Sequence, residues 1–231
     1  MSNNEINNKV QIAGEVVSEP KFSHEIYGEN FYEFDVKVNR LSNSFDTIPV
    51  TVSDRLLNGK ELSVGKFIEG IGQYRSYNKL DGEKSRLLLT IFLRELEVKE
   101  TIEQTNSIQI VGYVCKEPIY RTTPFNREIC DVLLAVNRNY GKSDYIPCIA
   151  WGRNARFVKN FKVGDKVRVE GRIQSREYQK KVENEETLTK TAYEVSLSKI
   201  SLVNDSNITF SETSREADVV SKEIIKGVYA I

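Results

Sequence analysis

The chain repeats itself. Residues 10–20 read VQIAGEVVSEP and residues 108–118 read IQIVGYVCKEP. A shift of 98 places Gly14 on Gly112, Glu19-Pro20 on Glu117-Pro118, Val38-Asn39-Arg40 on Val136-Asn137-Arg138 and Ile48-Pro49 on Ile146-Pro147. One more residue of shift places Gly65 on Gly164, Gly72 on Gly171 and Ser76 on Ser175. A register that survives this far with a single slip marks a duplication. The period is too long for a solenoid unit, so each copy is a domain. A chain of 231 residues gives each copy enough length to bury its own core. The expected organisation is a first domain over residues 1–100, a linker over 101–106, a second domain over 107–203 and a tail over 204–231. What the copies share reports on fold. What they do not share reports on function.

Strand signals dominate both copies. Tyr32 to Asn39 alternates apolar with polar, as a half-buried strand does. Val10, Ile12, Gly14 and Val16 alternate before it; Ile48, Val50 and Val52 alternate after it. Residues 54–62 lose the period of two and predict a short helix. A long strand follows over 66–77, then a turn at Asp81-Gly82 and a closing strand over 86–98. The second copy predicts strands near 108–115, 129–137, 144–151, 165–178 and 190–203, with a short helix near 152–160. Three strands, a helix and two strands is the order of an OB-fold, a five-stranded Greek-key barrel that often binds oligonucleotides or sugars. The expected class is therefore all-β, two tandem OB barrels. Gly72 and Gly171 fall inside the fourth strand, where a small closed barrel needs a bend, and Pro49 and Pro147 suggest an edge or bulge in the third.

The third strand separates the copies. Its core parity is apolar in both: Ile48, Val50, Val52 against Ile146, Cys148, Ala150. The opposite parity reads Thr47, Pro49, Thr51, Ser53 in the first copy, as a solvated face should. In the second it reads Tyr145, Pro147, Ile149, Trp151. Such a face is covered either by another subunit or by a ligand. The fourth strand of the second copy points Arg168, Glu170, Arg172, Gln174, Arg176 and Tyr178 outward. Arginines beside exposed aromatics supply charge for phosphates and flat faces for bases. Arg138, Tyr140, Lys142, Arg153 and Arg156 cluster nearby in sequence. Charge follows the same division. Residues 9–100 hold 13 basic and 15 acidic side chains, a net of −2, and residues 108–203 hold 17 and 11, a net of +6. A basic domain tied to a neutral one either meets a polyanion or is simply a solvated surface.

The segment DYIPCIAWGRNARFVKNFKVGDKVRVEGRIQSREY, with VGYVCKEP and LLAVNRNY before it, resembles the bacterial single-stranded DNA-binding proteins. The resemblance covers about residues 107–203 well and 9–99 more faintly, and the layout is similar to the tandem-OB version of Firmicutes such as clostridia. It implies sequence-independent binding of single-stranded DNA in replication, repair or recombination. The family's stacking positions match Tyr140, Tyr145, Trp151 and Tyr178. The first copy has Ser42, Thr47, Ser53 and roughly Lys79 there, which leaves Arg40, Phe45, Tyr74, Arg75 and Tyr77 as its candidates. The family assembles four barrels, so the resemblance implies a homodimer, with the first strands over 10–16 and 108–114 as candidates to pair across chains. It also implies recruitment of replication or repair proteins by an acidic tail tip. The tail here ends IIKGVYAI, so that route is not expected. Thr213-x-x-Glu216 resembles a capping box, followed by Val219, Val220, Ile224 and Ile225 in an amphipathic pattern.

Other chemistry finds little support. His24 is the only histidine and reads as a loop or surface residue. No Cys/His spacing fits zinc, and no phosphate-loop or dinucleotide fingerprint occurs. Glu183, Glu185 and Glu186 read as a solvated loop. Cys115, Cys130 and Cys148 sit in apolar settings and read as reduced core residues. No run approaches the roughly 18 apolar residues of a membrane span, and MSNNEINNK is not a signal peptide. The expectation is a cytoplasmic, nucleoid-associated binding protein: no enzyme, no metal, no cofactor, no membrane. Two rivals stay open: an OB-fold accessory protein of a primosome or recombination complex acting through protein contacts, and an RNA-binding OB protein.

Overall fold

A computed structural model describes residues 7–81, 84–181 and 187–203. The turn after Asp81, the carboxylates Glu183, Glu185 and Glu186, and the tail from 204 on, with Thr213, Glu216, Val219, Val220, Ile224 and Ile225, lie outside the described residues. The strands are β1 (Asn8–Val16), β2 (Lys21–Ile26), β3 (Glu29–Asn39), β4 (Phe45–Ser53), β5 (Phe67–Asp81) and β6 (Lys84–Lys99), then β7 (Thr105–Val114), β8 (Ile119–Thr122), β9 (Glu128–Asn137), β10 (Ser143–Trp151), β11 (Lys166–Lys181) and β12 (Thr187–Leu202). Helix α1 (Asp54–Leu57) follows β4 and α2 (Arg153–Val158) follows β10. Only one turn of the helix expected over 54–62 forms; Gly59, at φ +74°, follows its end.

The alternating runs fold as their period demands. Phe34, Val36 and Val38 of β3 and Ile48, Val50 and Val52 of β4 all point into the core. Each barrel then closes. Strand β1 meets β3 at Glu15–Lys37 and Val16–Val36, and β4 runs parallel to β6 at Val50–Ile91 and Thr51–Phe92. The second barrel closes through β7–β9 and β10–β12 at equivalent residues. Gly14 and Gly112 sit where the first strand crosses its neighbour. A Cβ there would lie 2.4 Å from the Lys37 carbonyl oxygen and 2.8 Å from that of Ala135. The bend expected at Gly72 and Gly171 is a register shift in each β5–β6 type hairpin, between Ile71 and Gly72 and between Glu170 and Gly171. Each copy carries one strand more than the five expected. Among the described residues β2 and β8 pair only with β3 and β9, at the outer edge, and bury no side chain, so neither has the alternation that reveals a strand in sequence.

The two barrels are one body. Strand β1 pairs antiparallel with β7, from Asn8–Ile110 to Ala13–Thr105, and the sheet runs β2-β3-β4-β6-β5-β1-β7-β11-β12-β10-β9-β8, symmetric about that pair. The first strands, expected to pair across chains, therefore satisfy each other within one chain. Their hydrogen-bonding edges are spent, and the buried apolar side chains of both barrels form one continuous cluster. Beyond the end of the ladder two asparagines act as short strands. Asn8 donates to the Tyr74 carbonyl at 2.8 Å and accepts from its N–H at 2.9 Å. Asn106 does the same for Ile173, at 2.7 and 2.9 Å.

Charge locks the pairing from both sides. Asp46, 1% exposed, accepts from Arg40 of its own barrel (Nε at 2.9 Å) and, across the boundary, from the Ser175 N–H at 2.7 Å and Arg172 Nη1 at 2.9 Å. Asp144, also 1% exposed, accepts from Arg138 (Nε at 2.7 Å), the Ser76 N–H at 2.6 Å and Arg75 Nη1 at 3.2 Å. Arg40 and Arg138 each donate onward to the facing serine carbonyl, Ser175 at 2.9 Å and Ser76 at 2.7 Å. Arg40, Asp46 and Ser76 are the repeat mates of Arg138, Asp144 and Ser175. The crossing arginines are not mates: the first barrel has Gln73 and Arg75 where the second has Arg172 and Gln174. Each glutamine accepts from its neighbouring arginine, so both orders deliver one guanidinium to the facing carboxylate.

Such carboxylates are costly to bury and more costly to orphan. Asp46→Ala strips the partner from two guanidiniums and a backbone N–H, and is expected to lower unfolding free energy by about 3–5 kcal/mol in urea titration. A loss under about 1 kcal/mol would show that the clamp does not hold the barrels together.

Candidate nucleic-acid interface

The candidate face is the outer side of the second barrel, where β9, β10, β12 and β11 lie side by side. Strand β10 places Tyr145 and Trp151 on it at opposite ends. Trp151 is 38% exposed and Tyr145 half-buried, its N–H donating to Ser76 Oγ at 2.8 Å. The middle of that strand is not open. Pro147 and Ile149, expected to need a subunit or ligand above them, are buried within the chain, and Leu133, directly opposite Pro147, is buried as well. In the first barrel Thr51 and Ser53, expected in solvent, are likewise buried. Thr51 Oγ1 lies 2.8 Å from Thr90 Oγ1. On β10 the middle of this face is therefore buried and the two ends stay accessible.

Strand β11 adds Arg176 and Tyr178, the guanidinium carbon 6.0 Å from the ring centroid. Arg153 and Arg156 are exposed on α2, which starts at Gly152 directly after Trp151; Arg156 lies 3.5 Å from Glu128. Tyr140 belongs to a 3-10 turn over Asn139–Gly141, and its side chain lies outside the described set. Arg138 and Arg172 do not join this group in the way expected. Both are committed to the aspartate clamp, with 27% and 39% of their side chains exposed. Arg40 and Arg75 of the first barrel are committed in the same way.

Tyr74 is corrected outright. Expected as a stacking residue, it is fully buried in the core, because it occupies the inward parity that Ile173 holds in the second barrel. Its hydroxyl has no hydrogen-bond partner among the described residues, and burial keeps the phenol protonated well above its ordinary range. Phe45 is exposed beneath Lys37, whose Nζ stands 5.0 Å from the ring centroid. Tyr77 donates to Glu33 Oε1 at 2.8 Å; burial first, then that bond, pushes its ionisation up.

Some members of these faces escaped sequence reading. In the first barrel His24 stacks on Phe31 at 5.0 Å, Phe31 meets Phe92 at 5.5 Å, and Arg94 stands 5.1 Å from the Phe92 ring. Phe31 sits opposite Ser53, as Ile129 sits opposite Trp151. The first barrel has thus moved its aromatic bulk one strand over and sunk it. The signal was Phe31 on the otherwise polar parity of β3. In the second barrel Asp131, a carboxylate inside the apolar run EICDVLLAV, pairs with Arg121 at 2.9 Å. The thiols Cys115, Cys130 and Cys148 are free; burial pushes the first two up to about 12 and raises the third as well, so they pack as neutral groups.

Removing the orphaned hydroxyl tests the corrected placement. Tyr74→Phe is expected to leave stability unchanged or to raise it by up to about 1–3 kcal/mol in thermal unfolding. Destabilisation would mean that the hydroxyl has a partner.

Residues 105–203 match the model of the single-strand binding protein family. Single-stranded DNA-binding protein A of Bacillus subtilis (strain 168) is 37% identical over 81 residues, covering 32% of this chain and 47% of that protein. Single-stranded DNA-binding protein 1 of Staphylococcus aureus (strain COL) is also 37% identical over 81 residues, with 32% and 48% covered. The chain thus spans about half the length of the curated relatives it matches. The wild-type single-stranded DNA binding protein from Thermus aquaticus superposes with a TM-score of 0.68 at 19% identity, over 90% of this chain and 98% of that one. At that identity the likeness is one of fold, and it extends through both barrels.

Proposed function

We propose, from the match of residues 105–203 to the single-strand binding protein family, that the chain binds single-stranded DNA through its second barrel, without strong sequence preference. The observation that carries the reading is the pair of reachable aromatics at the two ends of β10, Tyr145 and Trp151, on one face with Arg176 and Tyr178. Rings offer stacking to any base, and the cations beside them meet phosphates. The net +6 of residues 108–203 supports the same partner. A strand held this way is shielded rather than altered. The role is therefore protection and presentation in replication, repair or recombination, at the nucleoid, and not catalysis.

The two barrels divide this work, over residues 1–100 and 107–203. Thr47 and buried Ser53 stand where Tyr145 and Trp151 stand, and Asp46 and Asp144 occupy four of the candidate arginines. The first barrel then serves chiefly as the partner that completes the second. The shared core and clamp make separated halves a poor test, so substitutions belong in the full chain. Trp151→Ala is expected to weaken oligo-dT binding by about 1–3 kcal/mol, measured by anisotropy of a labelled strand, with the fold intact by circular dichroism. Unchanged affinity in a folded variant removes Trp151 from the site. A shallow salt dependence would favour the reading of an accessory protein acting through apolar contacts.

Two chains associate to present four barrels. With the β1 and β7 edges spent, the contact must use another surface. Light scattering is expected to give the mass of two chains at micromolar concentration; a one-chain mass, with and without DNA, would rule the dimer out.

A further inference from the structure

The outer face of the second barrel holds two buried carboxylates that stacking does not require. Asp131 stands opposite Ile149, and so shares the face of Tyr145 and Trp151. Glu194 stands opposite Gln174, on the face of Arg176 and Tyr178. Each carboxylate is 2% exposed. Arg121 Nε donates to Asp131 Oδ2 at 2.9 Å, and 28% of its side chain stays exposed. Arg176 Nε lies 4.0 Å from Glu194 Oε1, with 30% of its side chain exposed, and Gln174 Nε2 donates to the same oxygen at 2.6 Å. Two guanidiniums therefore lie across this face, tethered from below and reachable from above.

The first barrel is the control. Its residues at the places of Arg121, Asp131 and Arg176 are Ser23, Glu33 and Tyr77. Both hydroxyls donate to Glu33 Oε1, each at 2.8 Å. Thr90 takes the place of Glu194 and bonds Thr51. Neutral donors thus meet the half-buried Glu33 at this place in the first barrel. Buried ion pairs rarely stabilise more than a neutral arrangement of the same volume. The guanidiniums of the second barrel therefore call for a use other than packing, and a planar fork on a side chain that stays partly exposed fits a phosphodiester.

We propose that Arg121 joins Arg176 as a phosphate contact of the second barrel, and that Asp131 is the positioning residue that holds Arg121 across the face and takes up a proton as a strand binds. The proposal rests on the reading that this barrel binds single strands. When a phosphate accepts hydrogen bonds from Arg121, the Asp131 carboxylate is left buried beside a polyanion. A proton from solvent then settles on the carboxylate. The charges facing Asp131 are Arg121 from β8, Arg176 from β11 and Glu194 from β12; β10 offers the neutral Ile149. Burial already pushes Asp131 up to about 6, against the pull of Arg121. An arriving strand pushes it further up. Affinity therefore rises as pH falls through the window just above 6, and levels off below the value in the free protein.

The test uses the full chain and oligo-dT, whose bases do not titrate here, with Trp151 quenching as the signal. At fixed ionic strength, wild-type affinity is expected to rise several-fold, up to about tenfold, between about pH 8 and about pH 5.5, and binding in weakly buffered solution is expected to consume protons. Asp131→Asn should bind at neutral pH at least as tightly as the wild type, with a flat profile and no proton uptake. Arg121→Ala should weaken binding at neutral pH several-fold and reduce the slope of log affinity against log salt by about 1, while Arg121→Lys keeps that slope. A flat wild-type profile without proton uptake, or Arg121→Ala with unchanged affinity and slope, would overturn the proposal. If oligo-dT binds at no pH, the reading beneath it fails instead.

Discussion

The whole molecule hangs on two aspartates and one pair of strands. Asp46 and Asp144 each lie almost fully out of water, and each draws a guanidinium from its own barrel and a guanidinium plus a backbone N–H from the other. Between them β1 and β7 pair edge to edge. Neither element suffices alone. A six-residue antiparallel pair leaves register slippage open, and a buried carboxylate without its donors is a liability. Together they fix the register to one residue and merge two cores into one. The duplication is thus a built-in dimer of barrels.

That solution consumes resources. Arg40, Arg75, Arg138 and Arg172 look like a basic rim when read along the chain, yet all four point at the clamp. In the proposed binding mode the positive charge comes instead from the second barrel's outer face and from α2. The two faces have diverged around a shared device, a carboxylate in the middle of the sheet. Hydroxyls meet it in the first barrel, and a guanidinium grips it in the second. Because the copies share backbone geometry, the difference lies in a few side chains, and function follows from those.

Much of the fold was legible because alternation reports burial directly. A residue at Val36 or Val50 faces inward whatever surrounds the barrel, and the glycines at 72 and 171 marked their bulges in both copies. The edge strands β2 and β8 were not legible, since a strand that buries nothing has no period to read. The site was half legible. Trp151 and Tyr145 stood out against Ser53 and Thr47. Tyr74 misled because aromatic character was read without its inward parity. Arg121 and Asp131 were not legible because no motif joins them: they lie ten positions apart in sequence, and only the β8–β9 hairpin brings them together.

The sequence by itself determined that there are two barrels, which residues line their cores, and which copy carries Tyr145 and Trp151 on its third strand. Those properties are local: they depend on side-chain parity along one strand and on comparison of one copy with the other. Tertiary structure alone decided which edges meet, which arginines the aspartate clamp takes, and which carboxylates lie beneath the proposed binding face. Those depend on residues brought together from far along the chain, such as Asp46 with Arg172 and Asp144 with Arg75. No spacing in the sequence encodes them. An arginine reads the same whether a phosphate or a buried aspartate awaits it, and only the fold says which one is within reach.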